Sequence, residues 1–142
     1  VILSGGNDLN SLNPNPLSAM RDAYESQILT HCLQHNLPLL GICRGAQMIA
    51  HYFGAKLESL NGHIGNHQVF DISSGERFEI NSFHNYGVRT LSDCLESLVE
   101  AEDSSIEAFK HKHKPIFALM WHIERKNGMG KDKIFQEWLS KL

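Results

Sequence analysis

Leu37-Pro38-Leu39-Leu40-Gly41-Ile42-Cys43-Arg44-Gly45 is the stretch that decides the fold. Its first six residues form an apolar run of strand length. From Gly45 to Phe53, residues Ala46, Ile49, Ala50 and Phe53 recur at helical spacing, and Gly54 suits the C′ position of that helix. At the junction stands Cys43, with a glycine two residues away on either side. The G-x-C-x-G form is that of a nucleophile elbow with Cys in place of Ser. Its spacing has a steric cause: on a sharp strand-to-helix turn, side chains two residues from the nucleophile collide. A helix N-terminus also offers unpaired amides and the positive end of the macrodipole. The Cys43 thiol is therefore expected to ionise below its free value of about 8.5.

Upstream, Val1–Ser4 reads as a short buried strand stopped by Gly5-Gly6-Asn7-Asp8, and Asn10–Pro16 reads as a loop. Ser18 offers a cap for a helix whose inner face carries Met20, Ala23, Tyr24, Gln27, Ile28 and Cys32; Asn36 ends it. Strand, helix, strand, helix argues for α/β architecture with a parallel sheet. Downstream, Gln68–Ile72 and Arg77–Ile80 alternate around Ser73-Ser74-Gly75-Glu76 as a hairpin. Leu98–Ala101, Ile106–Phe109 and Ile116–Trp121 read as three short strands. Lys131–Leu142 closes as a helix with Ile134, Phe135, Trp138 and Leu142 on one side.

The 142 residues fit one domain, with no internal repeat, low-complexity segment or linker. With 42% apolar and 20% charged residues, disordered and fibrous classes are excluded. The net charge is −3, and the short basic run His111–Lys114 makes no nucleic-acid footprint. No apolar run is long enough to span a membrane. No charged leader with an apolar core is legible, so the expected compartment is the cytoplasm. Three cysteines at irregular spacing make no disulfide framework and suit a reducing compartment. The chain opens inside an apolar strand without Met, which leads us to expect the C-terminal portion of a longer chain.

A cysteine nucleophile needs a histidine base, and the base needs an orienting acceptor. Among nine histidines, His122 directly ends the apolar run Ile116–Trp121, and Glu124 follows two residues later. In extended chain, residues two apart point the same way, so the pair would meet at a strand's C-terminal end. An exposed loop pair is the plain alternative. Gly5-Gly6 lets backbone N–H groups approach a substrate, so the amides of Gly6 and Arg44 are candidates for an oxyanion hole. A simple tight turn is the alternative there.

His63 and His67 are four apart, but Gly62 and Gly65 argue against a helix and no cysteine or carboxylate is grouped near them in sequence. No metal site is expected, and His67 reads as a strand residue near the cleft. His111 and His113 alternate with lysines as a solvated turn, with a phosphate-attracting patch as the alternative. Arg125 and Lys126, just past His122 and Glu124, are candidates for contacting an anionic leaving group, with ordinary surface charge as the alternative.

Four segments together carry a resemblance: Leu3-Ser4-Gly5-Gly6, Gly41-Ile42-Cys43-Arg44-Gly45-Ala46-Gln47, Asn81-Ser82-Phe83-His84 and Trp121-His122-Ile123-Glu124. The set resembles class I glutamine amidotransferases, more closely the γ-glutamyl hydrolase branch. The resemblance implies a flavodoxin-like fold, mostly parallel with an antiparallel C-terminal part, lacking the family's N-terminal strands. It implies Cys43 as nucleophile, His122 as base and acid, Glu124 as orienter, Gly6 and Arg44 as oxyanion donors, and Gln47, Ser82 and His84 beside the γ-glutamyl group. Ile123 stands where the family usually has Pro, and extended chain is expected to continue through it. The implied reaction is hydrolysis of a γ-glutamyl amide through a thioester, with no metal or organic cofactor. The wording around Ile2–Leu9 and Trp121–Lys126 is similar to stand-alone hydrolases of bacterial surface-polysaccharide gene sets, one of which frees a nucleotide amidate from its γ-glutamyl conjugate. Two rivals remain: a glutaminase subunit feeding ammonia to a synthetase partner, and a non-enzymatic binding module on the same fold.

Overall fold

The computed structural model describes residues 1–125 and 132–142. In chain order the elements are β1 (Ile2–Leu3), α1 (Pro16–His35), β2 (Leu39–Ile42), α2 (Arg44–Tyr52), β3 (Lys56–Ser59), β4 (Ile64–Asp71), β5 (Arg77–Phe83), β6 (Tyr86–Thr90), β7 (Leu95–Ala101), β8 (Ile106–His111), β9 (Ile116–Leu119) and α3 (Lys133–Leu139). The sheet runs β1-β2-β9-β8-β7-β4-β5, with β3 on β6 and β6 joining β8.

Parallel pairing is confined to β1–β2–β9, where Ile2 faces Leu40 and Leu40 faces Phe117. Every other pairing is antiparallel. The α/β architecture and antiparallel second half are as expected, but the parallel part is the smaller one.

Why β2 and β9 read as unbroken apolar runs is visible in their packing. Leu39, Ile116, Ala118 and Met120 enter the core shared with α1 and α2, while Leu40, Ile42, Phe117 and Leu119 enter the one with Phe135 and Trp138 of α3. Strands covered on both faces have no position for a polar residue.

Several local expectations are corrected. Val1 and Ile2 are exposed rather than buried, because β1 pairs with β2 alone. Asn15, not Ser18, caps α1: its side chain accepts from the Ser18 amide, and Pro16 takes the first turn, where no N–H is needed. Ser18 Oγ instead donates to the Asp8 carbonyl at 2.8 Å. The buried face of α1 is Ser18, Glu25, Leu29 and Cys32, while Met20 and Tyr24 face outward. That inner face carries charge because it serves a buried arginine. Asn36 ends α1 in the left-handed conformation, as expected. Strands β3 and β6 were not foreseen; β3 is Lys-Leu-Glu-Ser, too polar and short to signal itself. Lys131 of the expected last helix lies outside the described residues, and Leu142 is exposed. Among the described residues, no helix is long and apolar enough to cross a membrane.

Candidate active site

Cys43 sits between β2 and α2 at φ 51°, ψ −104°, a conformation that L residues rarely hold. Its N–H donates to the Leu119 carbonyl at 2.7 Å, tying the turn to β9. Both glycines are required by space. A Cβ at Gly41 would stand 2.6 Å from the Gly45 carbonyl oxygen and from Ile49 Cδ1; one at Gly45 would stand 2.1 Å from the Leu3 carbonyl oxygen. The elbow is thus wedged between its own helix and β1.

The thiol departs from expectation. Burial pushes Cys43 up to about 11, and the Glu124 and Glu107 carboxylates push the same way; the Arg44 N–H on the sulfur and the Arg125 charge oppose this but are outweighed. Cys43 is 5% exposed, and removing water from a thiolate costs more here than the Arg44 N–H and the Arg125 charge return.

His122 Nδ1 lies 2.5 Å from Glu124 Oε1. The pair forms in a turn rather than extended chain: β9 ends at Leu119, and the Arg125 N–H donates to the His122 carbonyl at 3.2 Å. Ile123 is 2% exposed and joins the core beside Trp121, which turns its two neighbours outward. Asn81 on β5 clamps the His122 backbone, accepting from its N–H at 2.9 Å and donating to its carbonyl at 3.2 Å. Sequence reasoning gave Asn81 no separate role; its place in the Asn81–His84 segment was the available signal. A Cβ on Gly5 would stand 2.9 Å from His122 Cε1 and 3.7 Å from Cys43 Cβ. The imidazole and the cysteine therefore converge on the space that Gly5 leaves open.

Arg44 does more than lend an amide. Its guanidinium is buried and paired with Asp22 and Glu25 of α1. Arg21 holds Glu25 at 2.8 Å and donates to the carbonyls of Ser4 at 2.9 Å and Gly5 at 3.2 Å. One network thus fixes both turns expected to supply oxyanion amides. Gly6 has φ +154°, and a Cβ there would strike Arg21 Nη1.

Gln47 is buried on α2 and donates to the Tyr86 carbonyl at 2.9 Å. Ser82 is fully buried. His84 turns inward, its Nε2 3.4 Å from Glu107 Oε2. Arg125 lies over the Phe83 ring, 3.8 Å from its centroid, and that ring is 6.0 Å from the His122 ring. Lys126 lies outside the described residues. The view that no carboxylate accompanies His63 and His67 is corrected: Glu107, from β8, stands 3.0 Å from His63 Nδ1 and 3.9 Å from His67 Nε2. Glu107 is 44 residues from His63 in sequence, so no local pattern announced it.

The family model described as glutamine amidotransferase class-I matches residues 2–142. A γ-glutamyl-CDP-amidate hydrolase of Campylobacter jejuni is 54% identical over 140 residues, covering 99% of this chain and 69% of the relative. A carbamoyl phosphate synthase small chain of Desulfovibrio desulfuricans is 39% identical over 102 residues, covering 68% of this chain but 27% of its own length. Among solved structures, a glutamine amidotransferase of Thermotoga maritima aligns with TM-score 0.70 at 22% identity, covering 87% of this chain and 56% of that one. One of Methylobacillus flagellatus aligns at 0.69 and 16% identity, covering 98% and 56%. At such identities the structural likeness establishes the fold alone.

Proposed function

The chain belongs to the class-I glutamine amidotransferase family, and from that premise we propose that it hydrolyses the γ-glutamyl amide bond of a small-molecule conjugate, using Cys43, His122 and Glu124 as its catalytic triad. The observation that carries this reading is the convergence of the strained Cys43 turn and the Glu124-held His122 ring on Gly5.

The chemistry follows from the protonation states. Glu124 takes the proton-bearing Nδ1 of His122, which leaves Nε2 with a lone pair. A thiol held at about 11 stays protonated at neutral pH, so His122 removes its proton as the sulfur attacks the γ-carbonyl carbon. The oxyanion is met by the amides of Gly6 and Arg44. The proton on His122 passes to the leaving nitrogen, the C–N bond breaks, and the amine departs from a γ-glutamyl thioester. His122 then deprotonates a water, which attacks the thioester; glutamate leaves and the sulfur regains a proton. No step calls for a metal or an organic cofactor.

The substrate class follows the relative named for CDP-amidate: a γ-glutamyl conjugate whose leaving group is anionic. Gln47 serves the glutamyl side, and Ser82 and His84 back the wall behind it. Arg125 is the residue placed to meet the leaving group, and Lys126, next in sequence, is a second candidate. A nucleotide-bearing substrate is cytoplasmic, and capsular or other surface-polysaccharide synthesis is the setting such an activity fits. Mass spectrometry of products from a panel of γ-glutamyl conjugates tests this. Glutamate release from an anionic conjugate much faster than from glutamine is expected; equal turnover of free glutamine overturns it and favours an ammonia-supplying subunit.

A further inference from the structure

His63, His67, His84 and Glu107 come together in the sheet, from the segment before β4, from β4, from the end of β5 and from β8, and the Glu107 charge reaches Cys43. The ligand atoms of His63, His67 and Glu107 all lie within 4.8 Å of one another. Glu107 Oε1 is 3.0 Å from His63 Nδ1 and 3.9 Å from His67 Nε2, and Glu107 Oε2 is 3.4 Å from His84 Nε2. Donors around a tetrahedral ion with bonds of roughly 2.0–2.1 Å stand about 3.4 Å apart. The observed spacings bracket that value.

Two further observations point to a ligand. His84 is 4% exposed and Glu107 0%, yet His84 Nε2 and Glu107 Oε2 have no hydrogen-bond partner, and neither has His67 Nε2. Buried polar atoms are normally paired. The far side of His63 is held as well: its Nε2 lies 3.2 Å from Asp103 Oδ2, whose carboxylate is fixed by Ser105. A carboxylate on the outer nitrogen of an imidazole sets the tautomer that frees the inner nitrogen for a metal.

We propose that His63, His67 and Glu107 bind one divalent transition ion of the Zn²⁺ class, with water as the fourth ligand. Two imidazoles and one carboxylate suit zinc or cobalt and disfavour calcium and magnesium, which take oxygen-rich shells. The ion would fasten β4 and the segment before it to β8. This inference stands on geometry alone and is independent of the hydrolase reading.

The test uses untagged, chelator-stripped protein titrated with Co²⁺ and followed by visible absorption. Two competing ligand sources are removed beforehand: the Cys43 thiol by Cys43→Ala, and the exposed His31–His35 pair on α1, whose rings are 4.3 Å apart, by His31→Ala with His35→Ala. The expected result is one Co²⁺ per chain, with the intense ligand-field bands of a four-coordinate site, lost on His67→Asn. Absence of binding, or bands that survive His67→Asn, overturns the proposal. Should His67→Asn fail to fold, the bands of the parent protein decide: intense four-coordinate bands at one Co²⁺ per chain support the site, and the weak bands of an octahedral ion overturn it.

Discussion

Beneath the Cys43 turn, the Arg44 guanidinium is closed by Asp22 and Glu25, and Arg21 carries the network on to the carbonyls of Ser4 and Gly5. On the opposite wall, Glu107 gathers three imidazoles and leaves polar atoms unpartnered. Both clusters are buried and both neighbour the same cysteine. The first fixes a geometry: opposite charges meet in one arrangement and hold two turns in register. The second responds to protons and, on our inference, to an ion. On the proposed function, the turn side would serve chemistry common to every substrate, and the rim of Phe83 and Arg125 selection among substrates.

Variants sharpen this division. Cys43→Ala on the turn should remove turnover of every γ-glutamyl substrate by at least a thousandfold, roughly the scale of losing a triad nucleophile, while the circular dichroism spectrum and melting curve remain native. Activity above a few per cent would remove Cys43 from the reaction.

Arg44→Met leaves the half-buried Asp22 without its cation and the buried Glu25 with Arg21 alone. Breaking one side of a buried ion pair costs about 3–5 kcal/mol, so a urea titration should show a loss of that size. All substrates should suffer alike. A loss under about 1 kcal/mol would mean that the network is not what holds the turn.

Glu124→Gln sits where the two sides meet. An amide keeps the shape but cannot stabilise the imidazolium, so kcat should fall roughly 10²–10⁴-fold with little change in KM. Unchanged kinetics would name another acceptor for His122.

The open cluster can be broken by pH. Burial pushes the Glu107 carboxyl up, but the His63 and His84 imidazoles beside it outweigh this and hold it at about 2, below its ordinary 4.5. Its contribution is present above 4.5 and is lost as pH falls towards 2. His63 is raised above its ordinary 6.5, chiefly by the Glu107 hydrogen bond. Its contribution is full below 6.5 and is lost as pH rises through the raised value. The melting-temperature difference between chelator-treated wild type and Glu107→Gln should therefore be greatest from about pH 4.5 to 6.5 and shrink on both sides. A flat difference would separate Glu107 from His63.

The same contrast explains what the sequence revealed. The turn side is written locally: an apolar strand, two obligatory glycines and a helix lie within seventeen residues of one another, and each excludes alternatives by sterics. His122 and Glu124 were equally legible because two residues separate them, although a turn rather than a strand brings them together. The inner face of α1 was misread because Asp22 and Glu25 look like solvent residues until Arg44 arrives from the elbow. The wall cluster escaped for the same reason at greater range, since Glu107 meets His63 through the sheet and not through the chain. The thiol's direction was missed because helix position is local, whereas the burial that overrides it belongs to the assembled core.

Arg125 marks the rim where selection should act. Its guanidinium rests on Phe83, a ring that is 47% exposed and adjacent to the His122 ring. Stacking on an aromatic face holds the side chain without consuming its hydrogen-bond donors, which stay free for a phosphate or carboxylate. Glutamine's leaving nitrogen becomes ammonia and reaches none of this, whereas a conjugate's remote anionic group can bind here and spend that contact on the reacting bond. Arg125→Ala should lower kcat/KM for an anionic γ-glutamyl conjugate by about tenfold, the scale of one screened charge contact, and leave glutamine turnover nearly unchanged. The measurement is a pair of substrate titrations on each protein, repeated at raised salt, where the wild-type advantage should shrink because the contact is solvent-facing. An equal loss for both substrates would move Arg125 to the turn side of the division, as a charge acting on Cys43 rather than on the leaving group.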